Sequence, residues 1–509
     1  MEIIKDTINV CNVSAKGETQ AMAEGDVIVP DIKPDILKLL QVDAHSSVTD
    51  KYIENGRLVI NGRVDYKILY VPDNGNEKIK SILTSMEFRQ VVDSGGADAD
   101  ARLFVKPSVK KVEFNTDNSR KLHIRTIICV EYEVCRLNSF EISADAEMEC
   151  LEKEYRQIKF ENTVDVSEHT FTLSERLEVP SGTESICEVL KADIKISDTE
   201  YKAVTGRIII KGNAGICVLY TDTEGDVRFT EAEIPFTEIL DCENITENTV
   251  CDIDYFVLGE MCNTEPDNDG DMRIINIDID MCVSVKGTEI SEKEILDDCF
   301  MPYMKTECEK ELITLKTCVE RPSVSNTCRE VIELPRNVPE ISGVYNIMSN
   351  PVITKIEQQK NKILCEGNLE TYILYLTEST ENPVYSYKKE IPFSYMIDCE
   401  NDTEDMMCET KSSIRHISYN LNSKGEVELR CVITIDCVLL KQSEFSNIRN
   451  VNVTDTECVE GIIVCFAEKG ERVWDIAKRY TVPRETLIAN NNIEDELLKE
   501  NMRLFIPTK

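Results

Sequence analysis

The stretch GRLVINGRVDYKILYV, residues 56–71, recurs twice along the chain, as GRIIIKGNAGICVLYT at 206–221 and as NKILCEGNLETYILYL at 361–376. Each copy has a glycine and a tyrosine in the same register: Gly62, Gly212 and Gly367, and Tyr70, Tyr220 and Tyr375. The copies are offset by 150 and 155 residues, so the chain contains three copies of one unit. This period is far longer than the roughly 20–50 residues of solenoid repeats, and it predicts tandem domains.

Each unit has the sequence pattern of antiparallel strands. Apolar residues alternate along LHIRTIICVEYEV (122–134), MRIINIDIDMCVSV (272–285) and VELRCVITIDCVLL (427–440). A period of two is typical of strands with one buried face, so we expect a sandwich or a partly closed barrel in each unit. The shared glycine predicts a bulge or a close backbone approach. One short helix is predicted in each unit after a recurring proline, in PDILKLL (34–40) and ESICEVL (184–190).

The predicted fold class is mainly β, and the repeats give the predicted domain bounds. Repeat 1 covers 1–150, repeat 2 covers 151–302 and repeat 3 covers 303–445. A linker is predicted over 446–458, followed by a small βααβ domain over 459–509.

Charge and composition exclude several classes of function. The chain has a net charge of -37, of which only -1 belongs to residues from Val459 onward. An acidic surface repels phosphate backbones, so nucleic-acid binding is not expected.

The N-terminal residues lack the basic start and apolar run of a signal peptide, and the apolar stretches are too short to span a membrane, so we expect an unexported protein without a transmembrane segment. The 21 cysteines show no C-x-x-C pair, which predicts free thiols rather than zinc ligands or disulfides.

The chain offers few candidates for chemistry. The stretch PDNDGD (266–271) resembles the start of a calcium loop, but Asn276 stands where that loop needs its last carboxylate, so we interpret the stretch as a hairpin turn. None of the four histidines has a second ligand at helical spacing, and the common nucleotide, hydrolase and zinc-protease motifs are absent. We therefore predict no catalytic residues, no metal site and no cofactor.

The C-terminal residues contain the one tryptophan of the chain, Trp474, within EKGERVWDIAKRY (468–480). The segment from Glu460 to Pro507 resembles a LysM domain, whose elements follow the order β-α-α-β. The residues that match the family pattern are Gly470, Ile476, Ala477, Tyr480, Leu487, Asn491, Asn492, Leu504, Ile506 and Pro507. Two departures are Glu471 in place of the usual aspartate and Pro483 in place of a capping serine, although proline is tolerated in a first helical turn.

The periodicity of this segment locates a candidate binding surface. Val473, Ile476, Ala477 and Tyr480 form one apolar stripe on the first helix. Trp474 lies one residue off this stripe, about 100° around the helix, so we expect its side chain to be half exposed. It either covers the edge of a small core or anchors a partner, as exposed tryptophans often do. The predicted partner-binding residues are Trp474, Ile463, Lys469, Arg472 and Lys478.

Three β-rich repeats ahead of a LysM domain resemble the SipL-type spore-coat morphogenetic proteins of clostridia. Their repeated module is the SPOCS domain, and the stretches VPDIKPDILKLL (29–40) and GRVDYKILYV (62–71) carry the resemblance. It implies a non-enzymatic adaptor of the mother-cell cytoplasm, located at the outer forespore membrane and the spore coat. It also implies that the LysM domain binds the ATPase that polymerises there as the coat basement layer, stage IV sporulation protein A, and that the SPOCS repeats contact other coat proteins.

A carbohydrate binder is the alternative, because many LysM domains bind N-acetylglucosamine polymers of peptidoglycan or chitin. The groove that they use would lie here between residues 469–472 and residues 490–494. Glycan polymers lie outside the membrane, so the expected lack of a signal peptide argues against this alternative.

Overall fold

The strands of repeat 1 form two antiparallel three-stranded sheets. A computed structural model of the chain describes residues 2–73, 77–180, 182–379, 381–455 and 463–506. The strands are β1 (Glu2–Ile28), β2 (Ile36–Glu54), β3 (Arg57–Pro72), β4 (Lys80–Asp93), β5 (Arg102–Asn118) and β6 (Lys121–Glu147). One sheet has the order β2-β3-β4 and the other the order β1-β6-β5. The sheets share one core, and β2 lies beside β5 while β4 lies beside β1, so the two layers approach each other along both edges.

Repeat 2 has the same arrangement. Its strands are β7 (Glu152–Glu178), β8 (Ile186–Val204), β9 (Arg207–Asp222), β10 (Val227–Asp241), β11 (Val250–Pro266) and β12 (Met272–Phe300). The sheets have the orders β10-β9-β8 and β11-β12-β7 and enclose a second core. The stretch PDNDGD forms the turn between β11 and β12, where the amide of Asp267 donates to the carbonyl of Asp271 at 2.7 Å, as the hairpin interpretation predicts.

Repeat 3 differs in one strand. Its strands are β13 (Met304–Glu320), β14 (Ser323–Ile332), β15 (Gly343–Gln359), β16 (Lys362–Leu376), β17 (Val384–Asp398), β18 (Met407–Leu421) and β19 (Val427–Asp455). One sheet has the order β15-β16-β17, and the other pairs β13, β14 and β18 with β19. Together β13 and β14 take the place of the single first strand of the other repeats. The interruption falls at Arg321 and Pro322, and proline has no amide to donate to a strand ladder.

The glycine shared by the repeats is required for packing. In each repeat it lies opposite a phenylalanine of the neighbouring strand, in the pairs Gly62–Phe88, Gly212–Phe236 and Gly367–Phe393. A Cβ at Gly212 would lie 2.6 Å from the tip of the Phe236 ring, closer than real contacts allow. The strand on the other side has a register shift close to each glycine, between Val48 and Asp50, Ser197 and Glu200, and Ile353 and Lys355. The close approach and the bulge that the sequence predicts are therefore both present.

The predicted helix after the recurring proline is wrong. PDILKLL leads into β2, which begins at Ile36, and ESICEVL leads into β8, which begins at Ile186. Register shifts between Ile36 and Lys38 and between Leu39 and Gln41 displace the apolar residues from a strict period of two. Their spacing then resembles that of a helical face, which explains the error.

The predicted linker over 446–458 is wrong for residues 446–455. These residues are the last part of β19 and pair with β13, from Ser446 opposite Leu312 to Asp455 opposite Met304. Residues 456–458 lie outside the described residues. The bulge at Arg449 places Ile448 and Val451, both buried, three positions apart, so the alternation of a strand is not apparent in the sequence.

The long outer strands of the three repeats meet each other. One buried cluster is formed by residues of β1, β6, β7, β12, β13 and β19: Ile8, Val10, Ile142, Ile158, Phe160, Ile295, Ile313, Leu315 and Phe445. A second cluster joins the sheets β2-β3-β4, β10-β9-β8 and β15-β16-β17, with Leu69, Leu219 and Leu374 among its members. Within the described residues each sheet belongs to one repeat, and the repeats are held together through side chains.

Candidate functional site

The last described residues form a small module that lies against repeat 2. Its elements are β20 (Ile463–Ala467), α1 (Val473–Arg479), α2 (Arg484–Asn491) and β21 (Met502–Ile506). Gly470, with φ of 91°, allows the turn into α1, and Asn492, with φ of 52°, ends α2 in the left-handed region. Antiparallel pairing from Ile463 opposite Ile506 to Ala467 opposite Met502 closes the sheet.

The core of the module agrees with the predicted stripe. Val473, Ile476 and Ala477 are fully buried, and Tyr480 is half-buried and packs against them. Leu487 of α2 and Leu504 of β21 complete the core. The two helices therefore cover one face of the two-stranded sheet.

The sequence predicts a half-exposed Trp474, and this prediction is wrong. The side chain is buried, with 2 % of its surface accessible. Phe300, at the end of β12, packs edge-on against its ring with centroids 5.1 Å apart and planes at 69°. The indole Nε1 donates to Asp298 Oδ2 at 3.1 Å. Trp474 is thus part of the buried cluster of the module, and Phe300 and Asp298 of repeat 2 cover its ring.

Asp298 is the centre of this contact. Lys478 Nζ lies 2.6 Å from both carboxylate oxygens, and Lys310 Nζ lies 3.2 Å from Oδ1. Burial raises the pKa of Asp298, but hydrogen bonds from Lys478 and Trp474 outweigh burial and hold the pKa below its ordinary value. The carboxylate is therefore charged at neutral pH and joins two lysines to the indole.

Further polar contacts extend the interface along repeat 2. Arg472 forms an ion pair with Glu154, and the amide of Arg484, at the start of α2, donates to Glu152 Oε1 at 3.3 Å. The amide of Tyr303, at the start of repeat 3, donates to the carbonyl of Thr481 at 2.6 Å. Three of the predicted partner-binding residues, Trp474, Arg472 and Lys478, thus contact repeat 2 of the same chain.

The other two predicted residues lie elsewhere on the module. Ile463 is half-buried and packs against the module core rather than facing outward. Lys469 is exposed in the turn before α1, where its amide donates to Asn501 Oδ1 at 2.7 Å. The structure does not bring these two side chains into the face that contains Trp474.

A second surface of the module is apolar and open. The face of the sheet away from the helices carries Val464, Phe466 and Phe505, and Phe466 is 80 % exposed. Arg503 stacks over the ring of Phe505 at 5.7 Å. Val464, in β20, therefore points away from the helices and is 40 % exposed.

The groove expected of a glycan binder contains an asparagine with a structural role. Asn491 accepts from the amide of Phe505 at 2.6 Å and donates to the carbonyls of Phe505 and Leu487, both at 2.9 Å. Its amide group thus joins α2 to β21.

A chamber of about 1100 Å³ lies where the three repeats meet. Ion pairs between repeats line it, including Lys16 with Glu409 at 2.7 Å and Lys411 with Asp254 at 2.8 Å. Lys286 forms an ion pair with Glu133. Burial raises the pKa of Glu133, but the ion pair with Lys286 outweighs burial and holds the pKa below its ordinary value. These charges bind the repeats to one another.

Among the described residues no group of three or more histidine, cysteine, aspartate or glutamate side chains could hold a metal ion. The cysteines whose side chains are described are free thiols. Neither helix of the described part has the length and apolar character needed to cross a membrane.

The half of the site that belongs to repeat 2 is not predictable from the sequence. Asp298, Phe300 and Glu154 belong to strands, and no local motif distinguishes them. Asp298 is separated from Trp474 by 176 positions. Only the spatial arrangement of the chain brings these residues to the module.

The SPOCS-domain model of the SipL family matches the chain three times, over residues 35–117, 185–264 and 340–422. The matches cover β2–β5, β8–β11 and β15–β18, which are corresponding strands of the three repeats. No curated protein and no solved structure matches the chain. The module over 463–506 lies outside the three matches. The chain therefore contains three SPOCS domains of the SipL type.

Proposed function

We propose that this protein is a non-enzymatic adaptor of spore-coat assembly. Its C-terminal module binds the ATPase that polymerises on the forespore as the coat basement layer, stage IV sporulation protein A. The observation that carries the proposal is the triple SPOCS match, because it relates the chain to coat proteins of sporulating cells. The protein acts in the mother-cell cytoplasm at the outer forespore membrane, and its repeats contact further coat proteins.

The module is a LysM domain in this proposal. The order β20-α1-α2-β21, the turn at Gly470 and the left-handed Asn492 support the assignment. The departure at Pro483 is accommodated, because Pro483 occupies the position before the first turn of α2, where no amide of its own is needed.

The contact surface for the ATPase contains Trp474, Arg472 and Lys478, while Ile463 and Lys469 lie elsewhere on the module. Tryptophan and arginine are enriched among the residues that contribute most of the binding free energy at protein–protein interfaces, and Trp474 lies beside the two cations Arg472 and Lys478. The module is close to neutral while the remainder of the chain is strongly acidic, so the module is the part that approaches an acidic partner with least repulsion.

A binding assay with the full-length chain tests the proposal. Purified ATPase and insoluble peptidoglycan are each offered to the wild type, to Trp474→Glu and to Phe466→Asp. We expect the wild type to bind the ATPase, and Trp474→Glu to lose on the order of 2–4 kcal/mol of binding free energy. Phe466→Asp, which changes the open sheet face, is the matched control and should bind like the wild type.

Circular dichroism of each variant verifies that loss of binding is not loss of folding. A wild-type chain that binds peptidoglycan and ignores the ATPase would contradict the adaptor proposal in favour of a glycan binder. Normal binding by Trp474→Glu with loss in Phe466→Asp would move the contact to the open sheet face.

A further inference from the structure

The face of the module that contains Arg472, Trp474 and Lys478 is occupied within the chain. We infer that Asp298 and Phe300 are an internal ligand of this face. A protein partner binds this face by displacing Asp298 and Phe300 and supplying a carboxylate beside an aromatic ring in place of these two side chains. The inference rests on the proposed function, in which this face binds the partner, and it adds what the partner must offer and what must first be displaced.

The geometry of the internal ligand specifies this chemistry. Asp298 and Phe300 are two positions apart at the end of β12, so both side chains project from the same side of an extended segment. The carboxylate accepts from the indole and from Lys478, while the ring packs edge-on against the indole 5.1 Å away. A competing segment needs the same two groups at the same spacing.

The charges around the contact select an acidic partner. Arg472 pairs with Glu154 and Lys478 with Asp298, and the amide of Arg484 at the start of α2 donates to the carboxylate of Glu152. Every group that repeat 2 presents to these cations is acidic. A partner that replaces repeat 2 must therefore supply negative charge, because unpaired cations would otherwise be left in a partly buried interface.

The contact can open without unfolding either side. Apart from the packing of Phe300 and Tyr303 against the module, its main links are hydrogen bonds and ion pairs, and Lys478 and Arg472 keep 33 % and 40 % of their side-chain surface exposed. Partly exposed ion pairs are weak and are screened by salt. The chain connection keeps the module at a high effective concentration, so closure competes with a partner in free solution.

The single tryptophan makes the internal contact measurable in the full-length chain. We compare acrylamide quenching of Trp474 in the wild type, in Asp298→Asn and in Asp297→Asn. Asp297 is the bulged residue of β12 next to Asp298, so its variant changes the charge equally. We expect roughly a tenfold shift toward the open, quenchable form in Asp298→Asn, because a charged hydrogen-bond partner is lost, and no shift in Asp297→Asn. Equal quenching in both variants would overturn the inference.

Binding of the purified ATPase to the same three proteins tests the competition. Removal of the internal ligand should tighten binding by roughly tenfold in Asp298→Asn, while Asp297→Asn should bind like the wild type. Equal affinities for all three proteins would overturn the inference while leaving the adaptor proposal in place. If none of the proteins binds the ATPase, the proposed function fails, and the quenching comparison still decides whether Asp298 holds the module closed.

Discussion

Gly212 and Gly215 lie three positions apart on β9, but only Gly215 has room for a side chain. A Cβ at Gly212 would meet Phe236 at 2.6 Å, while the nearest atom to a Cβ at Gly215 is the carbonyl oxygen of Lys195 at 3.6 Å. The Phe236 ring cannot easily move, because it packs against Phe171 and Tyr255. We expect Gly212→Ala to lower the free energy of unfolding by about 1–3 kcal/mol. Gly215→Ala should leave it unchanged or raise it slightly, since alanine loses less backbone entropy on folding.

Urea unfolding followed by circular dichroism measures both variants against the wild type. The midpoint should fall for Gly212→Ala at an unchanged slope. Equal midpoints for the two variants would show that the close approach to Phe236 is not what requires the glycine.

The carboxylate of Asp298 makes the module contact sensitive to acid. Its pKa is lower in the closed chain than the ordinary value of 3.8, because the closed state stabilises the charged form. A lowered pKa stabilises the closed state at pH above 3.8, and this contribution is lost as the pH falls through the lower pKa. We expect acrylamide quenching of Trp474 to increase as the pH falls below 3.8. Asp298→Asn should not show this step.

Far-UV circular dichroism at each pH distinguishes opening of the module from unfolding of the repeats. Asp297→Asn should titrate like the wild type. A pH profile of quenching that is the same in Asp298→Asn and in the wild type would assign the acid sensitivity to another group.

The final part of β19 shows how a bulge hides a strand from the sequence. Ile448 and Val451 are buried, but the bulge at Arg449 separates them by three positions, and three asparagines in this stretch suggest a linker. Asn447 is itself buried and bridges repeats 3 and 1, because its side chain accepts from the amide of Ser143 at 2.9 Å and donates to the carbonyl of Glu141 at 2.9 Å. Strands with regular alternation, such as 272–285, are predictable, whereas bulged strands are not.

Hydrogen exchange tests the assignment of this element. Amides of 446–455 should be protected at a level similar to that of 427–440, since both parts of β19 are paired with neighbouring strands. The turn at 422–426 should exchange much faster and serves as the internal comparison. Exchange of 446–455 as fast as the turn would restore the linker interpretation.

At the scale of the whole molecule, the repeat pattern predicts three similar units but not how they pack. Offsets of 150 and 155 residues and the shared glycines follow from the sequence, because each repeat has to satisfy the same local packing. The joint cluster of the outer strands and the burial of Trp474 depend on residues from different repeats and leave no periodic signal. The same limit explains why the sequence predicts a half-exposed Trp474, whereas the side chain is buried.

The joint cluster makes the stability of the three repeats interdependent. Ile295 and Ile290 both belong to β12, but Ile295 is fully buried in the cluster while Ile290 is 59 % exposed. We expect Ile295→Ala to lower the free energy of unfolding by about 2–5 kcal/mol, through lost burial and the cavity left behind. Ile290→Ala should change it by less than about 0.5 kcal/mol. Because residues of β1, β6, β13 and β19 contact the same cluster, hydrogen exchange in Ile295→Ala should accelerate in the outer strands of all three repeats. Acceleration confined to repeat 2 would show that the repeats are stable separately and that the cluster contributes little to their assembly.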